Sequence, residues 1–310
     1  MMILSPKSCV STPCVATIGC FDGVHRGHQL LLALVLEKAR AGGMRSLVVT
    51  FDPLPRQVFD AGFRPQLLTT LDEREYYIRK VGIDDVLVLP FTRELAAMSA
   101  ESFMQQVLRN QLGVEVLVNG YDNRFGHGRN EGFDDYVRYG RQMGIEVVRG
   151  DVAKMGGDVA VSSTAIRRML AEDGAVERMP DCLTRLYAIS GTIVPGEHIG
   201  HELGFPTANL CPKNTFKLIP ASGVYAVWVS IDGSAERLPA MMNIGTRPTF
   251  EGTHKTLEAH ILSDVGDIYG HRLTVSFVAR LREERRFESS ELLVRQLQHD
   301  RDCTLRILMK

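Results

Sequence analysis

The chain carries almost no surplus charge: 36 lysines and arginines stand against 37 aspartates and glutamates, a formal net charge of −1. That balance argues against a general electrostatic grip on nucleic acid or on an acidic membrane, while leaving room for a local basic pocket. A basic stretch interleaved with aromatics, the mark of many nucleic-acid binders, is missing. No apolar run approaches the roughly 20 residues that span a bilayer. The opening MMILSPKSCVSTPCVATIG has Lys7 as its one basic residue and reads as the lead-in to a strand, not as a signal peptide. Cysteine is scarce, at Cys9, Cys14, Cys20, Cys182, Cys211 and Cys303, and no two form a CxxC pair. A zinc or thioredoxin-type site and a disulfide framework are therefore not expected, and reduced thiols in the cytoplasm are. Internal repeats and low-complexity segments are absent too.

What is present is the composition of a soluble globular protein, 45% hydrophobic and 24% charged. At 310 residues the chain has enough length for two ordinary domains. In the first half, Cys14–Ile18, Ser46–Phe51, Asp85–Pro90, Val114–Asn119 and Ile145–Arg149 read as buried strands. Between them GHQLLLALVLEKARA and the stretches Leu71–Lys80, Ala100–Leu112 and Glu131–Met143 show helical spacing. Strand and helix in alternation predict a Rossmann-like α/β domain, a doubly wound parallel sheet with ligands at the carboxyl ends of its strands. A short helix at Thr164–Ala171 leads into the polar AEDGAVERMPDCL, which puts the domain division at 1–180 and 181–310. Beyond it AISGTIV, GVYAVWVSI, LPAMMNI, LEAHIL and LTVSFVARL are short alternating segments, the pattern of an antiparallel β-barrel or sandwich. Ser289–Leu308 returns to helical spacing and closes the chain with a helix.

The most informative segment is GCFDGVHRGHQLL, Gly19 to Leu31, between the first strand and the first helix. Its glycines let the backbone turn tightly and approach a ligand, and the helix start offers unpaired N–H groups to an anion. His25 and His28 are three residues apart and can share one side of the first turn. Two imidazoles there can donate to phosphate oxygens whose charge grows at a pentavalent phosphorus, an effect often worth roughly 3–4 kcal/mol per donor. An isolated HxGH is more often a surface or metal-binding pair; its place behind GxFDG, between strand and helix, favours nucleotidyl transfer. VSSTAIRRML supplies hydroxyls at Ser162, Ser163 and Thr164 before a helix, with Arg167 one turn on as a forked cation for a triphosphate tail. GYDNRFGHGRN, after another strand, has the glycine-rich polar character of a binding loop.

In the second half, GTIVPGEHIGHELGFPTANL places Thr207 and Asn209 on one face of an extended chain, two hard oxygens suited to Mg²⁺ on ATP phosphates. Taken alone, PTAN is a turn-and-strand motif. In KTLEAHIL, Glu258 and His260 alternate with Leu257, Ala259 and Ile261. The pattern by itself favours an edge strand with a wet face; the alternative is that Glu258 points into a site as a general base.

Taken together, GxFDGxHxGH, GYDNRFG and SSTxIR resemble the adenylyltransferase module of bacterial bifunctional riboflavin kinase/FAD synthetases. GFPTANL, GVYAVWV, NIGTRPTF, LEAHIL, DIYG and LREERRFESSEL are similar to riboflavin kinase in order and spacing, over nearly all of Leu186–Asp300. The resemblance implies an enzyme that phosphorylates riboflavin to FMN and adenylylates FMN to FAD, with Mg²⁺, ATP and the flavins as ligands. By it, Gly19, Phe21, Asp22, His25 and His28 serve the ATP phosphates, Ser163, Thr164 and Arg167 hold the leaving end, and Asp122 lies near the nucleotide. Phe125 is implied to meet the isoalloxazine ring. In the kinase half, Gly196 and Gly200 belong to the ATP loop, Thr207 and Asn209 bind Mg-ATP, and Glu258 is the base. Arg282, Arg285 and Phe287 are implied at the flavin end. Departures from the family pattern are Leu54 in place of His, Asn123 in place of Phe, and His198 and His201 in place of Gly and Arg. The last two imply altered ATP affinity in the kinase. Rival readings are a single-function FAD synthetase with a degenerate kinase half, a different small-molecule adenylyltransferase, and a non-catalytic flavin sensor.

Overall fold

A computed structural model describes residues 12–60, 62–150, 161–195, 204–249 and 252–309, with backbone alone at 247–249 and 252–254. The chain divides into two compact units, Met1–Ser162 and Ser163–Lys310.

The first unit is a five-stranded parallel sheet. Its strands are β1 (Cys14–Ile18), β2 (Arg45–Phe51), β3 (Asp85–Leu89), β4 (Val114–Asn119) and β5 (Glu146–Arg149), in the order β3-β2-β1-β4-β5. These strands are near-continuous apolar runs because both faces of the sheet are covered. On one face Ala16, Ile18, Leu47, Val49 and Leu117 pack with Phe103, Met104, Leu108 and Tyr136. On the other, Val15, Val48, Val116 and Val118 meet Leu32 and Val35 of helix α1 (Arg26–Gly42) and Ile78 of a later helix. Adjacent strand residues thus feed opposite faces, as the two-residue pleat requires.

Helix α2 (Pro55–Phe59) is a single turn with no buried residue, which carries too little periodicity to be read from sequence. Helix α3 (Leu71–Val81) starts at a capping box, with Thr70 accepting from the Glu73 N–H and Glu73 accepting from the Thr70 N–H. After the short α4 (Arg93–Ala96), α5 (Ala100–Phe103) widens into a π-helical stretch, Met104–Arg109, where the spacing had indicated one regular helix to Leu112. Helix α6 (Phe133–Met143) precedes β5. The strand order reverses between β1 and β4, so the crevice at their carboxyl ends is the switch point of the sheet.

The second unit begins earlier than the polar stretch after Gly174 indicates. Helix α7 (Ser163–Arg168), a π-helical stretch Met169–Asp173 and helix α8 (Met179–Leu183) belong to it. The reason is apolar burial: Leu170, Val176, Met179, Cys182 and Leu183 have no exposed surface. Backbone bonds reinforce it, with Ala221 N–H donating to Leu170 O.

Six antiparallel strands then close a barrel: β6 (Tyr187–Val194), β7 (Ala208–Pro212), β8 (Gly223–Ile231), β9 (Leu238–Thr249), β10 (Gly252–Ile261) and β11 (Arg272–Arg282). Their order round the wall is β10-β7-β6-β11-β8-β9. Between barrel and sandwich, the alternation alone could not choose; closure satisfies every edge. Tyr187, Tyr225 and Phe277 fill the interior, and the two hydroxyls donate to Leu218 O and Ala221 O, both at 2.6 Å. Helix α9 (Ser290–Leu308), capped by Ser289, packs on β8, β9 and β11. Its buried residues are polar, Asp300 and Thr304. Asp300 is 2% exposed and accepts from Arg282 Nε at 2.9 Å and Nη2 at 2.8 Å, tying helix to barrel.

No helix among the described residues is long and apolar enough to cross a membrane. The five described cysteines are free.

Removing one partner of a buried ion pair strands the other. Asp300→Ala is therefore expected to lower the unfolding free energy of the second unit by about 3 kcal/mol, as a shifted midpoint in urea. A change below about 0.5 kcal/mol would mean that the Arg282–Asp300 pair does not anchor α9.

Candidate active sites

The loop between β1 and α1 is held in an unusual conformation. Phe21 and Val24 both have positive φ, 49° and 40°, and Gly23 between them has 87°. Left-handed backbone at a non-glycine residue costs of order 1–3 kcal/mol and persists only where the surroundings over-determine it. Here the surroundings are Asp22 and the residues before α3. The Asp22 carboxylate, 2% exposed, accepts from Leu68 N–H at 3.1 Å, Thr69 N–H at 2.9 Å and the Thr69 hydroxyl at 3.0 Å. Thr69 Oγ1 in turn accepts from Gly23 N–H at 2.9 Å. Asp22 thus faces inward and fixes the loop from beneath.

That clamp delivers His25 to the N-cap of α1, where its Nδ1 accepts from His28 N–H at 3.3 Å. The acceptor role leaves the ring proton on Nε2, the atom that can donate to a phosphate oxygen. The rings of His25 and His28 stack at 3.6 Å with an interplanar angle of 18°, and Phe21 meets His28 edge-on at 5.1 Å. Gly27 makes the stack feasible: a Cβ there would lie 3.1 Å from the His25 ring. Burial, then His25, then the Arg74 guanidinium hold His28 well below the ordinary imidazole range. Near neutral pH it is uncharged, and its Nδ1 is buried without a hydrogen-bond partner among the described residues. His28 is therefore a neutral imidazole stacked on His25 at a helix N-terminus, a place that favours anions.

Beside this loop a cavity of about 550 Å³ opens at the switch point, bordered by Ile18–Cys20 after β1 and Asn123–Arg129 after β4. Its size is that of a small-molecule site. Phe51, Phe91, Phe103 and Phe125 give it an aromatic wall. Phe125 stacks on Tyr136 at 4.2 Å, and the Tyr136 hydroxyl accepts from Phe125 N–H at 3.0 Å. Asn123 explains its own departure from the family pattern. Its Nδ2 donates to Ile18 O at 2.9 Å and to Asn119 Oδ1 at 3.1 Å, sewing the loop across the switch point. Asp122 is exposed and does not line this cavity, nor does Leu54, which caps α2. Ser163, Thr164 and Arg167 open α7 and are described with the second unit, anchored by the buried Ile166.

On the barrel, Glu258 stands in register between Asn209 of β7 and Asn243 of β9. The next row, Ala208, Ala259 and Met242, is buried in the interior, so the polar row lies on the outer wall. Continuing across β8, the row runs through Val224 to Arg282. Asn243, missed by motif reading, is Glu258's counterpart to Asn209; only the register reveals it. Thr207 is half-buried and borders a cavity of about 460 Å³ that the loop Ser263–Tyr269 completes. His260 steadies this end, its Nδ1 bonding Pro206 O at 2.7 Å, and burial lowers its pKa. Arg282 and Arg285 lie over the Phe287 ring at 5.7 and 4.8 Å. Arg285 also donates to Gln296 of α9, which donates to Asp300. Gly196, His198, Gly200 and His201 fall outside the described residues.

Among the described residues no group of three or more His, Cys, Asp or Glu could hold a metal ion by itself. The donors of Thr207, Asn209 and Glu258 fit Mg²⁺ that arrives on ATP phosphates and keeps part of its water shell.

An anion-binding helix start on a doubly wound sheet, joined to a barrel with a carboxylate set between amides, is the build of a two-module transferase. Comparison with known proteins agrees module by module. The family model described as FAD synthetase matches residues 7–165, and that for riboflavin kinase matches 183–308. The bifunctional riboflavin kinase/FMN adenylyltransferase of Escherichia coli K12 is 39% identical over 93% of this chain and 90% of its own. That of Pseudomonas fluorescens is 41% identical over 90% and 88%. A solved structure described as a macrolide-efflux protein from Streptococcus pneumoniae superposes with a TM-score of 0.87 at 28% identity, over 95% of this chain and 94% of that one. The chain belongs to the family of bifunctional riboflavin kinase/FMN adenylyltransferases.

Asn123→Ala removes both stitches across the switch point. The Michaelis constant for FMN in FAD formation is expected to rise about tenfold, with riboflavin phosphorylation unchanged. An unaltered constant in steady-state assays would mean that the stitch does not shape the cavity.

Proposed function

We propose that the family's two reactions are divided between the units, adenylyl transfer in the first and phosphoryl transfer in the second. The observation carrying the first assignment is the stacked His25–His28 pair at the start of α1, beside an aromatic cavity of about 550 Å³. An FMN phosphate oxygen attacks the α-phosphorus of ATP, and pyrophosphate leaves with the electron pair of the broken P–O bond. His25, His28 and the helix N–H groups donate to the oxygens where charge grows, with no side-chain nucleophile. Gly19, Phe21 and Asp22 shape that loop, Phe125 takes the isoalloxazine ring, and Asp122 flanks the nucleotide. Ser163, Thr164 and Arg167 hold the departing pyrophosphate.

In the second unit Glu258 accepts the proton of the riboflavin 5′-hydroxyl as its oxygen attacks the γ-phosphorus of ATP, and ADP leaves. Thr207 and Asn209 would hold the Mg²⁺ carried by ATP, which would supply neutralising charge for the transferred phosphoryl group. The cavity next to Thr207 takes the nucleotide; Arg282, Arg285 and Phe287 form the flavin end. The register of Asn209, Glu258 and Asn243 supports this division of roles. The free thiols support a cytoplasmic location.

The test is chromatographic: protein, riboflavin, ATP and Mg²⁺ are incubated, and FMN and FAD are followed over time. Wild type is expected to show FMN rising and then giving way to FAD. His28→Ala should halt the sequence at FMN, slowing FAD formation about 10²–10³-fold. Glu258→Gln should slow riboflavin phosphorylation about 10²–10⁴-fold while added FMN still becomes FAD. FAD formation by H28A, or FMN formation by E258Q, at near wild-type rate would overturn the corresponding assignment.

A further inference from the structure

Arg74 lies outside every motif, yet among the described residues it is the largest fully buried side chain, 1% exposed. It sits on the face of α3 that also buries Ile78, one turn on. Its Nη1 donates to Thr50 Oγ1 and to Phe51 O, each at 3.2 Å, at the carboxyl end of β2. Thr50 Oγ1 donates to Cys20 O at 3.2 Å, so the guanidinium is linked by one hydroxyl to the loop carrying His25 and His28. Arg74 Nε is buried and unbonded, and among the described residues no carboxylate pairs with this cation. A buried, uncompensated charge costs several kcal/mol, and a guanidinium cannot shed its proton to escape that cost. Its neighbour His28 has a buried, unbonded nitrogen as well. Two unsatisfied polar groups side by side in an otherwise well-bonded core point to a charge that arrives with a ligand.

We propose that Arg74 is a positioning residue for adenylyl transfer: buried beneath the Gly19–His28 loop, it braces the loop through Thr50 and places a permanent positive field under the phosphates that the loop binds. This rests on the assignment of adenylyl transfer to the His25–His28 loop. Arg74 touches neither substrate. The field works in a low-dielectric interior, where a fixed charge reaches further than in water. It disfavours a second positive charge on His28, whose charged and titratable neighbours are His25 on α1 and Arg74 on α3. The imidazole stays a neutral donor, and the compensating negative charge is the polyphosphate.

Two substitutions separate charge from hydrogen bonding. Arg74→Lys keeps the charge, and Arg74→Gln keeps a donor for Thr50 and Phe51 without it. R74K is expected to form FAD within about fivefold of wild type, and R74Q to lose about 10–100-fold in kcat/KM for ATP, the scale of outer-shell partners. Riboflavin phosphorylation by the same chains serves as the internal control and should not change. The acid limb of the FAD-forming rate should move to higher pH in R74Q, because removing a nearby cation makes His28 easier to protonate. Equal activity of R74Q and wild type, equal loss in R74K and R74Q, or an unmoved acid limb would overturn the proposal. If R74Q does not fold, judged by thermal unfolding, R74K decides: wild-type-like rates with an unmoved acid limb uphold it, and a loss beyond about 100-fold overturns it. If H28A retains FAD formation while R74Q loses it, the histidine-loop assignment has failed and not the role of Arg74.

Discussion

The carboxylate of Asp22 is the contact on which the first site depends. Two non-glycine residues beside it, Phe21 and Val24, adopt left-handed backbone that neither would choose alone. The carboxylate repays that cost by satisfying three donors from a segment 46 and 47 positions further along the chain. Charge-assisted bonds of this kind are about twice as strong as neutral ones, and burial prevents water from competing. The strain and the clamp act as one unit. The clamp holds the loop in this conformation, with His25 in its capping position and stacked on His28. A loop that must meet a growing charge cannot spend free energy reorganising at that moment, so its rigidity is established during folding.

The barrel solves the same problem with register. Glu258, Asn209 and Asn243 lie on three neighbouring strands, and hydrogen-bonded pairing fixes their spacing to a fraction of an ångström. The row behind them, Ala208, Ala259 and Met242, is locked in the interior, so a slip of one residue would turn Glu258 into the apolar core. Burial therefore enforces the position of a group that is itself on the outer wall. At the far end of the row, Arg282 reaches Asp300 and brings α9 onto the same surface. Barrel closure and helix docking thus define where the polar row ends.

Sequence carries the strands of the first unit to within a residue or so, because a parallel sheet covered on both faces demands unbroken apolar runs such as Leu47–Thr50. It also carries the histidine loop, whose glycine spacing is local. What it hides is every relation between distant segments. Asp22 reads as a ligand-facing residue of a conspicuous motif, but its carboxylate is taken up by backbone N–H groups before α3. Asn123 reads as a departure from the family, yet its side chain bridges two strand ends. Asn243 is an ordinary strand residue until the β9–β10 register sets it beside Glu258. Arg74 leaves a trace: it shares the buried helical row of Ile78, a place where a surface arginine does not belong. The start of the second unit is hidden for another reason, since Leu170, Val176 and Met179 are apolar residues scattered in a polar stretch and only the barrel gives them a partner.

A chain with a net charge of −1 handles a polyphosphate in each of its two reactions, and the structure makes this consistent. A broad basic surface would attract any polyanion and would be screened by salt within about 10 Å. The first unit instead offers a helix N-terminus, the stacked His25–His28 pair and one buried guanidinium. Such sources act at short range and in fixed directions, so they discriminate by geometry and not by charge alone. The near-zero net charge is thus what a site built from oriented dipoles permits.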